Sequence, residues 1–497
     1  MTIDPAKSIS AFYAGQSIFL TGATGFLGKV FIEKVLRSCP DVCEIFLLMR
    51  PKKGLNVEER LKKMLNLPLY NKLRKEQPAN FEKLIPISGD VREKELGLSV
   101  ADRQMLIERV TIIIHSAANM KMHDSIKRAI FGNIRATRDI CILAQNMKNL
   151  IALVYISTAF THVHEPFIEE RAYPPIADWQ KIIEMAEILD EHTLNIFTTK
   201  CLDCFPNTYT FSKNLAESVI QEYSSSLPCA IVRPSIITPT YKDPMPGWID
   251  NFYGPVGFSI GIGKGLIQVI YGCKSSNDNV VPVDIVIKAI IVVTWKLGLT
   301  INITNSTLIV LHCISQKYLT YHDYLKLLLN ITNDIPMEGI IWTPNAVMTD
   351  NTVLFYILTI LRILPAILID LIFKFSGRPS AIVQAQRKLY LVNCTLSYFL
   401  LRDWKFSNTN SLILLSSIPP DDRDMFSFEH ADSDIKRYIK NSAIGVKKFL
   451  LYEDMNRLDA ARTHGKRVRL LVAIVDIIIS TCLLWIIFQR IYSYIYV

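Results

Sequence analysis

Tyr209 and Lys213 stand four residues apart in the run Tyr209-Thr-Phe-Ser-Lys213, and a helical pattern continues from Asn214 to Tyr223. At that spacing the phenol and the ammonium share one helix face, one above the other. A cation beside a phenol favours the phenolate and lowers its pKa toward neutral pH. Such a phenol can protonate a carbonyl oxygen as hydride arrives, and the lysine can also hold a ribose. Fifty-one residues before Tyr209, the apolar run Leu153–Ile156 ends in Ser157-Thr158, two hydroxyls able to hold the same oxygen. A Tyr-x-x-x-Lys pair by itself is most often a solvated helix face, so its weight depends on what precedes it.

What precedes it is a nucleotide turn. The run Ser17–Leu20 leads into Thr21-Gly22-Ala23-Thr24-Gly25-Phe26-Leu27-Gly28, a helical pattern follows from Lys29 to Arg37, and a second apolar run covers Glu44–Met49. Strand, glycine turn, helix and strand are the setting that raises this motif above chance. Gly22 permits the tight turn, Gly25 lets backbone approach a pyrophosphate, and Gly28 lets the helix pack closely. The phosphates would sit on amides at the positive end of the helix. An acidic residue after the second strand would bind both ribose hydroxyls; Arg50-Pro51-Lys52-Lys53 stands there instead and suits a 2′-phosphate, so NADPH is expected. Leu84–Val91 ends in Asp90 and Val91, placed to meet adenine. Val110–Ala118 ends in His115, Ser116, Ala117 and Ala118, where small residues let a cofactor cross the strand terminus. His115 counts here by position and not by titration. Asn133, Arg233, Pro234 and Ser235 complete the residues expected around the cofactor. The fold class is α/β, a doubly wound parallel sheet of Rossmann type.

The chain has 497 residues, 50% hydrophobic and 20% charged, and a mean hydropathy of +0.24. At about 150 residues per domain that is roughly three units, and the balance excludes bulk disorder. Much of the apolar excess lies in Leu470–Phe488, nineteen residues with one charge, Asp476. As a helix this run spans about 28 Å, close to a hydrocarbon core. Arg462, Lys466, Arg467 and Arg469 precede it and aromatic residues follow it. The pattern predicts a single-pass tail anchor with the body facing the cytosol. A second apolar stretch, 353–375, is interrupted by Arg362, Pro365, Asp370 and Lys374. It reads as an interfacial hairpin or a core helix rather than a span.

The N-terminus lacks a signal-peptide pattern, so the sequons at Asn302, Asn305, Asn330 and Asn393 are expected to be unused. The net charge of +9 is not arranged as a stripe with aromatics. Lipid headgroups and phosphate-bearing ligands therefore fit it better than nucleic acid. The ten cysteines show one ligand-like spacing, Cys201-x-x-Cys204, with no second pair, so no metal is expected. Cys201, Cys204 or Cys229 as a thioester-forming nucleophile would need a base that the neighbouring sequence does not supply.

The order glycine turn, Ser-Thr, Tyr-x-x-x-Lys resembles the extended short-chain dehydrogenase/reductase superfamily. The resemblance then narrows. Phe12–Gly28, Glu33–Ser38, Tyr209–Lys213, Ile231–Ser235, Pro246–Asn251 and Val281–Asp284 are similar to alcohol-forming eukaryotic fatty acyl-CoA reductases of an insect-like kind. Leu364–Asp370, Lys388-Leu389 and Trp404–Phe406 are similar to the small C-terminal domain of that family. The resemblance covers about residues 10 to 455. It implies reduction of a long-chain acyl-CoA to a primary alcohol with two NADPH, at an ER or peroxisomal membrane. It implies a reductase domain at 12–350 with substrate elements in 240–350, a helical domain at 351–460 and an anchor at 470–488. A membrane-bound reductase of sterols or other lipid carbonyls would use the same Gly22, Thr158, Tyr209 and Lys213. It would leave the region beyond 350 unexplained. The insert carrying Trp179, Ile182, Ile183 and Met185 is either a substrate lid or surface packing.

Overall fold

The computed structural model describes residues 8–202, 204–300, 308–317, 319–375, 377, 382–430 and 434–496. Asn302 and Asn305 lie outside them. The chain forms two compact units. The first comprises Met1–Trp248, Asn279–Lys317 and Trp404–Ser433; the second comprises Ile249–Asp278, Tyr318–Asp403 and Asp434–Val497. The first unit thus takes in 404–433, and the second reaches back to 249–278. The hydrophobic faces of 249–278 and 404–433 find their partners in units distant along the chain, which local sequence pattern does not register.

The first unit is built on seven parallel strands: β1 Ser17–Thr21, β2 Glu44–Met49, β3 Leu84–Ser88, β4 Ile112–His115, β5 Ala152–Ile156, β6 Cys229–Pro234 and β7 Ile309–Cys313. They run in the order β7-β6-β5-β4-β1-β2-β3, the doubly wound arrangement expected. Every residue of β1, β2, β4, β5 and β6 is buried. This is why these strands read as continuous apolar runs rather than alternating ones. Leu20 of β1 pairs in register with Leu47 on one side and Ile114 on the other. The strand order reverses between β1 and β4, and ligands of such sheets bind at the carboxyl ends flanking that reversal.

The helices that position the site are α1 Phe26–Ser38, α2 Ala136–Gln145 and α3 Thr208–Tyr223. α4, Val283–Leu299, is buried almost all round, packing against α1, β5 and β6. Glu170 ties distant segments of this unit together. Its carboxylate accepts from the amides of His312 (2.8 Å) and Asn410 (2.6 Å) and from the Ser411 hydroxyl (2.7 Å).

In the second unit, α5 Thr352–Phe375 is one continuous helix with Pro365 inside, packed along α6, Ile382–Leu400. Nine large hydrophobic side chains of α5 are exposed among the described residues, so the core-helix option for 353–375 is corrected. The nineteen-residue apolar run lies within α7, Leu458–Tyr496. Among the described residues α7 contains the one segment long and apolar enough to cross a membrane. Asn393 is buried, donating to the Val269 carbonyl (2.7 Å) and accepting from the Tyr271 amide (3.0 Å), so its sequon offers no acceptor to solvent.

Gly22 has a left-handed φ of 76°, and the Gly25 amide closes the turn on its carbonyl at 2.9 Å. A Cβ on Gly28 would stand 2.4 Å from the Gly22 oxygen, so α1 packs against the turn through bare backbone. Gly28→Ala is expected to destabilise the protein by about 1–3 kcal/mol through overpacking, read as a lower denaturation midpoint in detergent. An unchanged midpoint would show that the turn yields.

Candidate active site

β1 and β4 deliver the turn and the loop that face each other at the strand-order reversal. Thr21 Oγ1 accepts from the amides of Ser116 (3.2 Å) and Ala117 (3.1 Å) and lies 2.7 Å from His115 Nδ1. With two amides donating to it, the hydroxyl gives its hydrogen to Nδ1. His115 Nε2–H then donates to Thr137 Oγ1 (3.2 Å), whose own hydrogen goes to the Asn133 carbonyl (2.7 Å). Burial, with help from the Lys213 charge, pulls the His115 pKa down to about 3, so the ring is neutral. Thr21, Ala23 and His115 are fully buried and present no surface to a ligand. Their expected place among the cofactor contacts is corrected: they brace the turn from behind. Thr24, Gly25 and Phe26 remain at the surface while Leu27 turns inward. Phe26 stacks on Trp248 with ring centres 5.4 Å apart.

Asn133 sits in a π-helical turn, Ile130–Arg135, immediately before α2. Its Oδ1 accepts from the Asn119 amide (2.7 Å) and its Nδ2 donates to Ser212 Oγ (2.8 Å). Ser212 in turn donates to the Tyr209 carbonyl at 3.0 Å. A chain of hydrogen bonds therefore joins the glycine turn to the first turn of α3, where Asn207 caps the helix by accepting from the Thr210 amide.

Tyr209 is half-buried, with the Thr158 hydroxyl near enough to favour its ionised form. Burial raises its pKa to about 12 against the opposing effect of Thr158. Lys213 is deeper, 2% exposed, and donates to the Ile156 carbonyl (2.6 Å) and to Tyr155 Oη (3.1 Å). Burial lowers its pKa to about 7, opposed by Glu217 one turn further along α3. The expectation that Lys213 depresses the Tyr209 pKa is corrected. The lysine reaches down to the end of β5, and its phenol partner is Tyr155. Nothing in the sequence spacing marks Tyr155, which is an ordinary strand aromatic there. Ser157 Oγ and Ser235 Oγ, at the ends of β5 and β6, are buried without a hydrogen-bond partner. Buried orphan hydroxyls of this kind are uncommon.

Arg233 is also corrected. It is 0% exposed, donating to both Glu217 carboxylate oxygens (2.9 and 2.7 Å) and to the carbonyls of Glu169 and Arg171. A guanidinium so engaged has nothing to offer a cofactor; Pro234 beside it is buried as well. The insert resolves as packing at one end: Trp179 and Ile183 are buried, and the indole donates to Glu222 of α3 at 2.8 Å.

At the ends of β2 and β3 a cavity of about 490 Å³ is lined by Arg50, Lys52, Asp90 and Arg92 among others. Asp90 pairs with Arg92 (2.7 Å) and Arg50 (3.4 Å). Burial acts to raise its pKa, but those hydrogen bonds and charges hold it below the usual carboxylate range. Arg92 was missed in the sequence, although its position two residues past a strand-end carboxylate could have signalled it. Val91 is half-buried beside them. Ala117 and Ala118 are half-buried after β4, and the Ala117 backbone lies against Gly22.

Of the three candidate cysteines, Cys229 is buried and its thiol is pushed up to about 12 by burial. The Cys201 side chain lies outside the described residues. The absence of a base near Cys204 is corrected in one respect: its sulfur lies 3.9 Å from His164 Nδ1. That pair is exposed.

Comparison with known proteins supplies a further set of observations. A family model described as male sterility protein, of an NAD-binding type, matches residues 20–290, and a second, also described as male sterility protein, matches 361–453. The chain is 36% identical to fatty acyl-CoA reductase 1 of Xenopus laevis over 93% of its length and 90% of the relative's. It is 35% identical to the Homo sapiens protein of the same name and 37% identical to fatty acyl-CoA reductase 2 of Mus musculus, with the same coverage. Among solved structures, the terminal reductase domain of the myxalamid biosynthetic pathway is similar with a TM-score of 0.58 at 19% identity, covering 88% of this chain and 92% of that one. A Mycobacterium tuberculosis non-ribosomal peptide synthetase reductase domain gives 0.56 at 18%, covering 90% and 96%. These two likenesses bear on fold alone.

Lys213 gives a pH signature. Its folded pKa, near 7, lies below its unfolded value, near 10.4. Between those values the unfolded chain binds more protons, so this residue makes stability rise with pH, by at most about 1.4 kcal/mol per unit. Denaturant melts at pH 7 and pH 9 are expected to show that rise, and Lys213→Met is expected to remove it. A pH-independent melt would place the lysine in contact with water.

Proposed function

The chain belongs to the fatty acyl-CoA reductase family, and from that premise we propose that it reduces a long-chain acyl-CoA to the primary alcohol and free CoA, using NADPH. The observation that carries the assignment of chemistry is the Tyr209–Thr158 pair at the carboxyl end of β5, where Thr158 follows the orphan hydroxyl of Ser157.

The residues present fit a nicotinamide dinucleotide. Gly25 is exposed at the start of α1, no side chain caps that helix, and its first amides are free to receive a pyrophosphate. When bound, the nicotinamide supplies one hydride per reduction step. The chain's own groups do the rest. Tyr209, fully protonated at neutral pH, gives its phenolic proton to the carbonyl oxygen. Thr158 orients that phenol and shares the oxygen. Collapse of the hemithioacetal returns its hydroxyl proton to the Tyr209 phenolate as the carbon–sulfur bond breaks, leaving the aldehyde and releasing CoA thiolate, which takes a proton from water; the restored phenol then protonates the aldehyde oxygen in the second reduction. Two of the three Lys213 donors are engaged by Ile156 and Tyr155, and we assign the third to a ribose hydroxyl.

NADPH rather than NADH is supported by the cavity lined by Arg50, Lys52 and Arg92, three cations against the carboxylates of Asp90 and Glu93, with Asp90 already paired to both arginines. Charge-assisted contacts of this kind suit a 2′-phosphate. For location, the apolar run of α7 with its basic flank supports a tail anchor holding the reductase at a membrane, with the body on the cytosolic side of the ER or peroxisome.

Protein purified in detergent and given palmitoyl-CoA is expected to oxidise two NADPH per alcohol released; no turnover across chain lengths would overturn the reading. Tyr209→Phe is expected to lower kcat by about 10²–10⁴-fold. Arg50→Ala with Arg92→Ala is expected to raise KM for NADPH by about 10–100-fold and leave that for NADH nearly unchanged. A chain ending at Arg469 is expected to leave the membrane fraction.

A further inference from the structure

The charges that make 353–375 look unfit for lipid each have a destination. Arg362 Nη1 lies 3.8 Å from Oδ1 of Asp476, the one charged residue inside the apolar run of α7. Asp370 accepts from the amides of Ile382 and Val383, at 3.1 and 2.9 Å, and so caps α6. Lys374 stands at the last turn of α5, where its long stem can carry the ammonium to headgroups. Pro365 leaves the helix continuous, as prolines often do in lipid.

The surface of α5 is equally pointed. Val353, Ile357, Ile360, Leu364, Ile367 and Leu371 are all exposed, between 39% and 67%. Their spacings of four and three residues draw one continuous row along the helix. In water such a row is a liability. The Arg362–Asp476 pair is half-exposed, at 38% and 48%, and a pair of that kind contributes little in water. In hydrocarbon neither charge is tolerated alone, and each becomes the reason the other is present. Asp476 lies six residues past Leu470, about 9 Å into the apolar run.

We propose that α5 is a second membrane-embedded element. It enters the same leaflet as the start of α7, with phospholipid hydrocarbon covering its apolar row and the Arg362–Asp476 pair holding the two helices together. The proposal rests on the reading of α7 as an anchor. Phospholipid is the occupant because the row is continuous, through the ion pair, with the helix that spans the bilayer.

The test uses the full-length protein in phosphatidylcholine liposomes, with a photoreactive phenylalanine analogue placed singly at Ile360, at Ile477 in α7, or at the exposed Ile188 of the first unit. Crosslinking to lipid is expected at Ile360 and Ile477, each about tenfold above Ile188. Crosslinking at Ile477 without Ile360 would overturn the proposal and leave the anchor standing. No crosslinking at Ile477 would remove the anchor and the proposal with it. With the probe at Ile360, Arg362→Asp and Asp476→Arg are each expected to cut lipid crosslinking about tenfold, and the double exchange to restore it. A double exchange no better than either single variant would overturn the pairing.

Discussion

The structure of the first unit hangs on how closely two backbones approach at Gly22. A Cβ there would stand 2.8 Å from the Ala117 amide nitrogen, closer than real side chains come. With no side chain, the turn after β1 settles directly against the loop after β4, and the Thr21 hydroxyl can bind both amides of that loop. The reversal of strand order thereby becomes a crevice with a hard floor. The neutral His115 beneath it is part of that floor, because an ionised ring could not sit between two threonine hydroxyls at full burial.

From this floor the rest of the site is positioned by polar groups that have given up contact with water. Asn133 and Ser212 fix the first turn of α3, and the end of β5 fixes Lys213. In the proposed reaction Tyr209 and Thr158 are the pair that meets the substrate oxygen. The division of labour follows depth. Groups at the bottom have pKa values moved by burial and serve geometry, whereas groups at the rim keep a proton to give. Glu217 and Arg233 form a second buried pair behind α3, which keeps a negative charge near Lys213 and moderates its desolvation.

Much of this was legible along the chain. The apolar runs of β1, β2, β4 and β5, the glycine turn and the Tyr209–Lys213 spacing are local signals, and the helix, strand and crevice they predict are present. What escaped depends on residues far apart. Lys213 finds Tyr155 58 residues away, and Arg233 meets Glu217 and carbonyls more than 60 residues upstream. A polar residue at a strand end looks the same in sequence whether it faces a cofactor or a buried carboxylate. His115, Thr21 and Arg233 were misplaced for that reason. The apolar stretch 353–375 was ambiguous for a related one, since the partners of its charges, Asp476 and the amides of α6, lie beyond it.

The alternation of the two units along the chain has a consequence for synthesis. The Glu170 carboxylate waits for donors from His312, Asn410 and Ser411, so this tie within the first unit is not complete until more than 230 residues after that carboxylate has been made. Loop closures of that length make for slow, late assembly. Segments of the second unit must meanwhile be held aside, and no single cut in the chain yields either unit whole. The protein is thus indivisible as a gene product even though it is divisible as an object.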